Sequence, residues 1–295
     1  MSLENYYYYR LAIWLVAHLP RWVLTAVVIL GADLNFLFSS RSRRGVLANQ
    51  VHVLPADTPR RRRLRSARAT FRYSGFATLE FFRLAQINRD NLDKFMTEVI
   101  GWEHVEAAMQ AKVGGIFVTL HMGCWELAGA YEGLRGVPLT GIALPHPDPR
   151  VDQIFNKIRR QAGTEAVPVD GGLRMLQQAL AQGRFTAVLA DRDVSGHGPK
   201  LPFFGQVLRV PAGHAVLALR TGAWILPCCI FRRPDGGHAI EFRPPIVPDR
   251  GQYNTESLTL RCLKILEEFI SARPEQWACF YDLWSQGEEP RADAA

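Results

Sequence analysis

The sequence predicts an α/β protein, a mixed or largely parallel sheet flanked by helices, standing behind amphipathic amino-terminal helices. Three observations predict it. Short β-prone runs recur beyond Trp102, helical patterns lie between them, and residues 6–38 are aromatic and aliphatic almost throughout before arginine clusters follow. Strands that alternate with helices imply a sheet covered on both faces. The 295 residues divide into a helical segment over 1–90 and an α/β core over 91–295. No Gly/Ser-rich linker separates them, so one continuous unit is expected.

Composition narrows the class. With 48% apolar and 21% charged residues, the chain is an ordinary folded protein and not a disordered, collagenous or disulfide-scaffold one. The 35 Lys and Arg exceed the 28 Asp and Glu, and this excess suits an anionic partner: nucleic acid, a membrane surface or a phosphorylated substrate. Five cysteines form no CxxC pair and no metal-like spacing with histidine, which points to a reducing compartment and no structural metal.

The amino-terminal run selects the membrane surface. A spanning helix needs about 20 predominantly apolar residues, but His18, Pro20 and Arg21 interrupt the best window, and Asp33 and Asn35 the next. The segment is expected to lie on a bilayer and not to cross it. It lacks a basic n-region and a small-residue cleavage site, so it does not read as a removable signal peptide. Arg41, Arg43, Arg44, Arg60, Arg61, Arg62, Arg63, Arg65 and Arg68 follow directly. Apolar helices beside arginines are what an interfacial anchor on anionic lipid requires. The alternative is a buried core hairpin with solvated arginines. Nucleic acid is not expected, because no RNP, zinc-finger or helix-turn-helix pattern accompanies the basic residues.

In the core, strands are expected at 114–120, 138–144, 166–169, 185–190, 224–230 and 238–242, and helices at 125–134, 151–162, 172–181, 211–221 and 256–271. Residues 201–213 read as a turn-rich apolar loop, and residues 286–295 as a frayed tail.

The chemistry candidate is His121. The run GGIFVTL leads straight into HMGCWELAGA, which puts an imidazole at the carboxyl edge of the sheet, where open α/β folds bind ligands. Glu126, five positions on, can reach back to one ring nitrogen and fix the tautomer while the other nitrogen faces substrate. Such a pair is a general base without a protein nucleophile. If a substrate hydroxyl is the nucleophile, the reaction class is acyl transfer from a thioester. ADRD at 190–193 ends another apolar run, so Asp191, Arg192 and Asp193 emerge at the same edge. Asp191 or Asp193 is then a second carboxylate for the imidazole, and Arg192 a group for a phosphate or a thioester carrier. Arg159 and Arg160 close a helix, where they bind anionic headgroups or complement the macrodipole. Phe203 and Phe204 are expected to line an acyl groove beside Trp125, or simply to pack. Cys124 adjoins the histidine, but a catalytic thiol needs a base oriented by a third group, and Glu126 is taken to serve His121 instead. The chain lacks GxSxG, GxxxxGK[ST], GxGxxG and HExxH, which removes the usual support for serine hydrolase, P-loop, dinucleotide and zincin readings.

Taken in order, the amphipathic start, HMGCWE, IRRQAG, ADRD, PFFG with RVPAG, and PEQW resemble the bacterial lipid A biosynthesis acyltransferases and their relatives the phosphatidylinositol mannoside acyltransferases, over residues 7–284. The resemblance implies a glycerolipid-acyltransferase-like fold on the cytoplasmic face of the bacterial inner membrane. It further implies a fatty acyl group moving from acyl carrier protein or acyl-CoA to a glycolipid hydroxyl, with no cofactor. His121 would be the base, Glu126 its HX4[DE] carboxylate and Asp191 the strand-end partner, with Arg159 lining the same cleft. The stretch ACFYDLW after PEQW departs from the Trp- and basic-rich end usual in these families. A lysophospholipid or glycerol-phosphate acyltransferase and a non-catalytic lipid-binding module are the competing readings.

Overall fold

The computed structural model describes residues 6–143, 146–168, 172–193 and 196–285. The last residue expected in each of the strands 138–144 and 166–169, and the tail 286–295, lie outside them.

Four helices open the chain: α1 (Tyr6–His18), α2 (Arg21–Phe38), α3 (Ser40–Val53) and α4 (Arg60–Arg83). Pro20 supplies no backbone N–H and separates α1 from α2. Val28 lies against Gly75, while Asp33 takes paired hydrogen bonds at 2.6–2.8 Å from Arg68 and Arg72. The helices α2 and α4 therefore run antiparallel. The aspartate that breaks the apolar pattern is neutralised by two guanidinium groups. Leu24 and Ala32 are buried, whereas Trp22 is 75% and Phe38 81% exposed, and Val27, Leu30 and Leu37 are also exposed. The amino-terminal run is thus not a buried core hairpin. Among the described residues, α2 is the one helix long and apolar enough to cross a membrane.

The core follows as β1 (Met96–Ile100), α5 (Trp102–Ala111), β2 (Gly115–Thr119), α6 (Trp125–Leu134), β3 (Leu139–Ala143), α7 (Pro149–Gln161), β4 (Glu165–Pro168), α8 (Gly172–Ala181), β5 (Phe185–Leu189), β6 (Lys200–Phe203), β7 (Gln206–Arg209), α9 (Gly213–Thr221), β8 (Trp224–Arg232), β9 (His238–Phe242) and α10 (Thr255–Ala272). Among the described residues, seven strands form one sheet in the order β1-β9-β8-β2-β5-β3-β4, and β8–β9 is its one antiparallel pairing. The α/β expectation holds. β2 lies inside the sheet between β5 and β8, and all five of its residues are buried. Burial on both faces explains why GIFVT reads as a continuous apolar run instead of alternating.

Local chemistry fixes the helix starts. Asn254 and Ser257 form a reciprocal capping box at α10, and Asp148 caps α7 with Pro149 behind it. Two expectations needed correction. The apolar loop at 201–213 is in part the hairpin β6–β7, turning through Phe204 and Gly205, both at positive φ. The strand β1 adds an edge to the sheet, and the helix α5 follows it, before the first strand expected from sequence. A short acid-containing run, MTEVI, carries little periodicity to betray them.

Candidate active site

The parallel strands β2 and β5 end side by side, with Thr119 paired to Leu189. Each is followed within two residues by a charged or titratable group, so His121 and Asp191 emerge together. Asp191 Oδ1 lies 2.7 Å from His121 Nδ1, and Asp191 Oδ2 accepts the His121 backbone N–H at 3.2 Å. The indole N–H of Trp277 donates to the same Oδ2 at 2.8 Å, and Arg192 Nε stands 3.9 Å away. Burial pushes the Asp191 carboxyl toward its neutral form, but His121, Arg192 and Trp277 together overcome this and hold it well below the usual carboxylate range. An ionised carboxylate on Nδ1 leaves Nε2 as the nitrogen that can take a proton. The imidazole is 23% exposed, and its ring centre lies 5.0 Å from that of Trp125.

Glu126 takes a different partner from the one its spacing suggested. Its carboxylate accepts from Arg159 Nη2 at 2.7 Å and Nε at 3.4 Å, and among the described residues its hydrogen bonds go to Arg159. The first turn of α6 directs Glu126 toward α7, while β5 delivers Asp191 to the imidazole. Asp193 accepts the Gly198 N–H at 2.9 Å and is not the imidazole's carboxylate. Arg192 donates to the Ala278 carbonyl and stacks on the Tyr281 ring. Cys124 is buried, and burial raises its thiol far above the ordinary range, which opposes a thiolate nucleophile.

A cavity of 480 Å³ opens beside this cluster, lined by Tyr8 and Tyr9 of α1, Phe81 and Phe82 of α4, Phe155 of α7, and Cys124, Trp125, Glu126 and Ala278. A second space of 110 Å³ lies on the other side of Trp125 and Glu126, against Gly129, Gly141 and Arg159. Trp125 therefore lines an apolar cavity. Phe203 and Phe204 do not: Phe203 stacks on Trp284 at 6.1 Å, and Phe204 packs edge-on to both at 4.9 and 6.3 Å. Their hairpin turns its rings toward the carboxyl-terminal tryptophans, and α1 and α4 supply the aromatic lining instead.

That carboxyl-terminal segment closes the site from behind. Ala278 N–H donates to the His121 carbonyl at 2.8 Å, and Met122 and Trp277 form an isolated β-bridge. Downstream, Asn49 donates to the carbonyls of Cys279 and Tyr281 and accepts from Leu283 N–H, so ACFYDLW is bound to α3. Local pattern does not reveal these contacts, which join residues more than 150 positions apart.

The model of the family described as bacterial lipid A biosynthesis acyltransferase matches residues 2–286. A phosphatidylinositol mannoside acyltransferase of Mycobacterium tuberculosis is 30% identical over 244 residues, 81% of this chain and 75% of that protein. The protein of the same name from Mycolicibacterium smegmatis is 31% identical over 64% of this chain and 62% of its own length. The lipid A biosynthesis lauroyltransferase of Escherichia coli is 26% identical over 90% of this chain and 86% of its own length. With the histidine–aspartate pair at the strand ends, the apolar cavity beside it and a match spanning nearly the whole sequence, the chain belongs to the bacterial lipid A biosynthesis acyltransferase family.

Proposed function

We propose that this acyltransferase moves a fatty acyl group from a thioester, carried on acyl carrier protein or coenzyme A, to a hydroxyl of a glycolipid, with His121 as general base. The observation that carries the reading is the 2.7 Å contact between Nδ1 and the buried Asp191 carboxylate, beside an apolar cavity that Trp125 shares. Nε2 takes the acceptor's O–H proton as the oxygen bonds to the thioester carbonyl carbon. The tetrahedral species then expels the thiolate, which recovers the proton from the imidazolium. No acyl-enzyme and no cofactor enter this scheme. The 480 Å³ cavity takes the acyl chain. The Arg159–Glu126 pair, which lines the adjoining 110 Å³ space, meets the polar end of donor or acceptor.

The acceptor is proposed to be a mannoside- or lipid A precursor-like glycolipid, following the names of the relatives. The protein is proposed to rest on the cytoplasmic face of the plasma membrane. Support comes from the exposed apolar residues of α1 and α2, from exposed Arg41, Arg44, Arg60, Arg61, Arg62 and Arg65, and from cysteines that are all free. Such a surface combines apolar insertion with attraction to anionic headgroups.

The test is acyl transfer by detergent-purified protein from labelled acyl carrier protein and acyl-CoA into a panel of lipid acceptors, with His121→Ala beside it. Labelled glycolipid that depends on the histidine is expected, with a rate lower by about 10²- to 10⁴-fold in the variant. Label confined to lysophospholipid would assign a phospholipid acyltransferase instead, and a fully active His121→Ala would remove the base.

A further inference from the structure

The carboxylate of Asp191 is held at both oxygens. Oδ1 faces the imidazole, while Oδ2 receives the Trp277 indole N–H at 2.8 Å and a longer contact from the His121 backbone at 3.2 Å. Trp277 is itself buried, 6.4 Å from the Phe203 ring and 6.2 Å from the Trp284 ring, edge-on to both. Its backbone is clamped as well. The Gln276 carbonyl accepts from Gly123 N–H at 3.4 Å, and the Gln276 side chain accepts from Arg232 N–H at 2.8 Å and donates to the Arg232 carbonyl at 2.9 Å. Ala278 on the other side donates to the His121 carbonyl and accepts from Arg192. Residues 276–278 thus form a strap across the ends of β2, β5 and β8.

We propose that Trp277 is a positioning residue for the acid–base pair: its indole N–H fixes Oδ2 of Asp191, so that Oδ1 stays on Nδ1 of His121. This deepens the general-base reading and rests on it. A carboxylate with one strong donor on one oxygen can rotate about its Cβ–Cγ bond. With a second donor fixed on the other oxygen, rotation breaks a charge-assisted hydrogen bond. The indole also withdraws electron density from the carboxylate, which limits how tightly Asp191 holds the imidazolium proton once it forms. The groups facing Asp191 are His121 at the end of β2, Arg192 on its own segment, and Trp277 and Cys279 from the carboxyl-terminal segment. Cys279 is buried, its thiol pushed up to about 12 by burial, and is neutral in the working range.

The experiment compares Trp277→Phe, Trp284→Phe and His121→Ala, reading kcat, KM and the pH dependence of kcat/KM. Trp277→Phe keeps the buried ring and removes the donor. It is expected to lower kcat roughly tenfold with little change in KM, and to move the acid limb of kcat/KM to higher pH by about one unit, as loss of one charge-assisted hydrogen bond implies. Trp284→Phe disturbs the same packing without touching Asp191 and is expected to leave the limb in place. A folded Trp277→Phe with wild-type kcat and limb, or an equal movement in Trp284→Phe, overturns the proposal while leaving His121→Ala inactive. Full activity in His121→Ala overturns the base itself. Should Trp277→Phe not fold, protein labelled with 15N on its seven tryptophans carries the test. The Trp277 indole resonance is expected to titrate with the acid limb and to move in Asp191→Asn, and an indole indifferent to both overturns the proposal.

Discussion

Arg159 on α7 and Glu126 on α6 face each other across 2.7 Å and line the 110 Å³ space together, Glu126 also lining the larger cavity. The acid of the H-x4-E spacing therefore pairs with an arginine and not with the imidazole. Each side chain is largely shielded from solvent, and Arg159 Nη1 is buried without a hydrogen-bond partner among the described residues. Glu126→Gln and Arg159→Met are each expected to lower kcat/KM. The double variant should lose much less than the sum, with a coupling of about 1–2 kcal/mol in a double-mutant cycle. Strictly additive losses would separate the two residues functionally.

Asp191→Asn tests the other carboxylate. It preserves shape but removes the charge that stabilises an imidazolium, and it sets an amide against both His121 Nδ1 and the Trp277 indole N–H. Turnover should fall by roughly 10²-fold or more, consistent with loss of general-base function, and thus further than in Glu126→Gln. If Glu126→Gln were the more damaging of the two, the roles assigned to these acids would be exchanged.

Gly123 sets the turn between His121 and α6. Its φ is +57°, and a Cβ there would stand 2.4 Å from the Ile230 carbonyl oxygen. Gly123→Ala meets both a disfavoured backbone region and a rigid strand, so the His121 turn must shift. Activity should fall at least tenfold, with a stability loss of about 1–3 kcal/mol in denaturant melts. An alanine variant with native rate and stability would show that the turn is loosely specified.

Much of this site is legible in the sequence because strand ends are. GGIFVTL–H and FTAVLA–D each place a polar residue just beyond a parallel strand, and parallel neighbours bring such residues together. What hides is what comes from far along the chain. Trp277 reaches Asp191 across 86 positions and Ala278 reaches His121 across more than 150, and no local periodicity encodes that. Glu126 misleads because five positions from His121 suggests a direct contact, whereas the turn at Gly123 aims α6 at α7. Phe203 and Phe204 mislead because rings read alike whether they line a cavity or pack behind it. The burial of Phe203 against Trp284 depends on a hairpin that its Pro- and Gly-containing sequence disguised as a loop.

His214, at the start of α9, gives the fold a pH dependence. It is wholly buried, neither ring nitrogen has a hydrogen-bond partner among the described residues, and burial pushes its pKa down to about 4. The unfolded chain binds a proton near pH 6.5, whereas the folded chain resists it to about pH 4. The stability tied to the neutral ring is therefore complete above pH 6.5 and is lost as pH falls toward 4, amounting to roughly 3 kcal/mol. His214→Leu should flatten the fall in denaturant-measured stability between pH 7 and pH 5. An identical slope in both proteins would place the proton-linked group elsewhere.

The outward stripe of α2 tests the membrane reading more sharply than deletion does. Removing the helix would strip α4 of its contacts with Leu24, Val28 and Asp33, so loss of binding would be confounded with loss of structure. Val27, Leu30, Leu34 and Leu37 instead share one exposed face at helical spacing. Leu30→Glu with Leu37→Glu should therefore leave the thermal midpoint unchanged. Burial of each leucine at a headgroup boundary is worth about 1.5–3 kcal/mol, so partitioning onto anionic vesicles should fall by roughly 10²-fold or more. Charge reversal at Arg61 and Arg65 should weaken binding to anionic vesicles at low salt, with little effect on neutral ones, because screened Coulomb attraction is what those residues add. If the glutamate pair sediments with vesicles as wild type does, α2 does not face the bilayer and its apolar stripe belongs to a contact with protein.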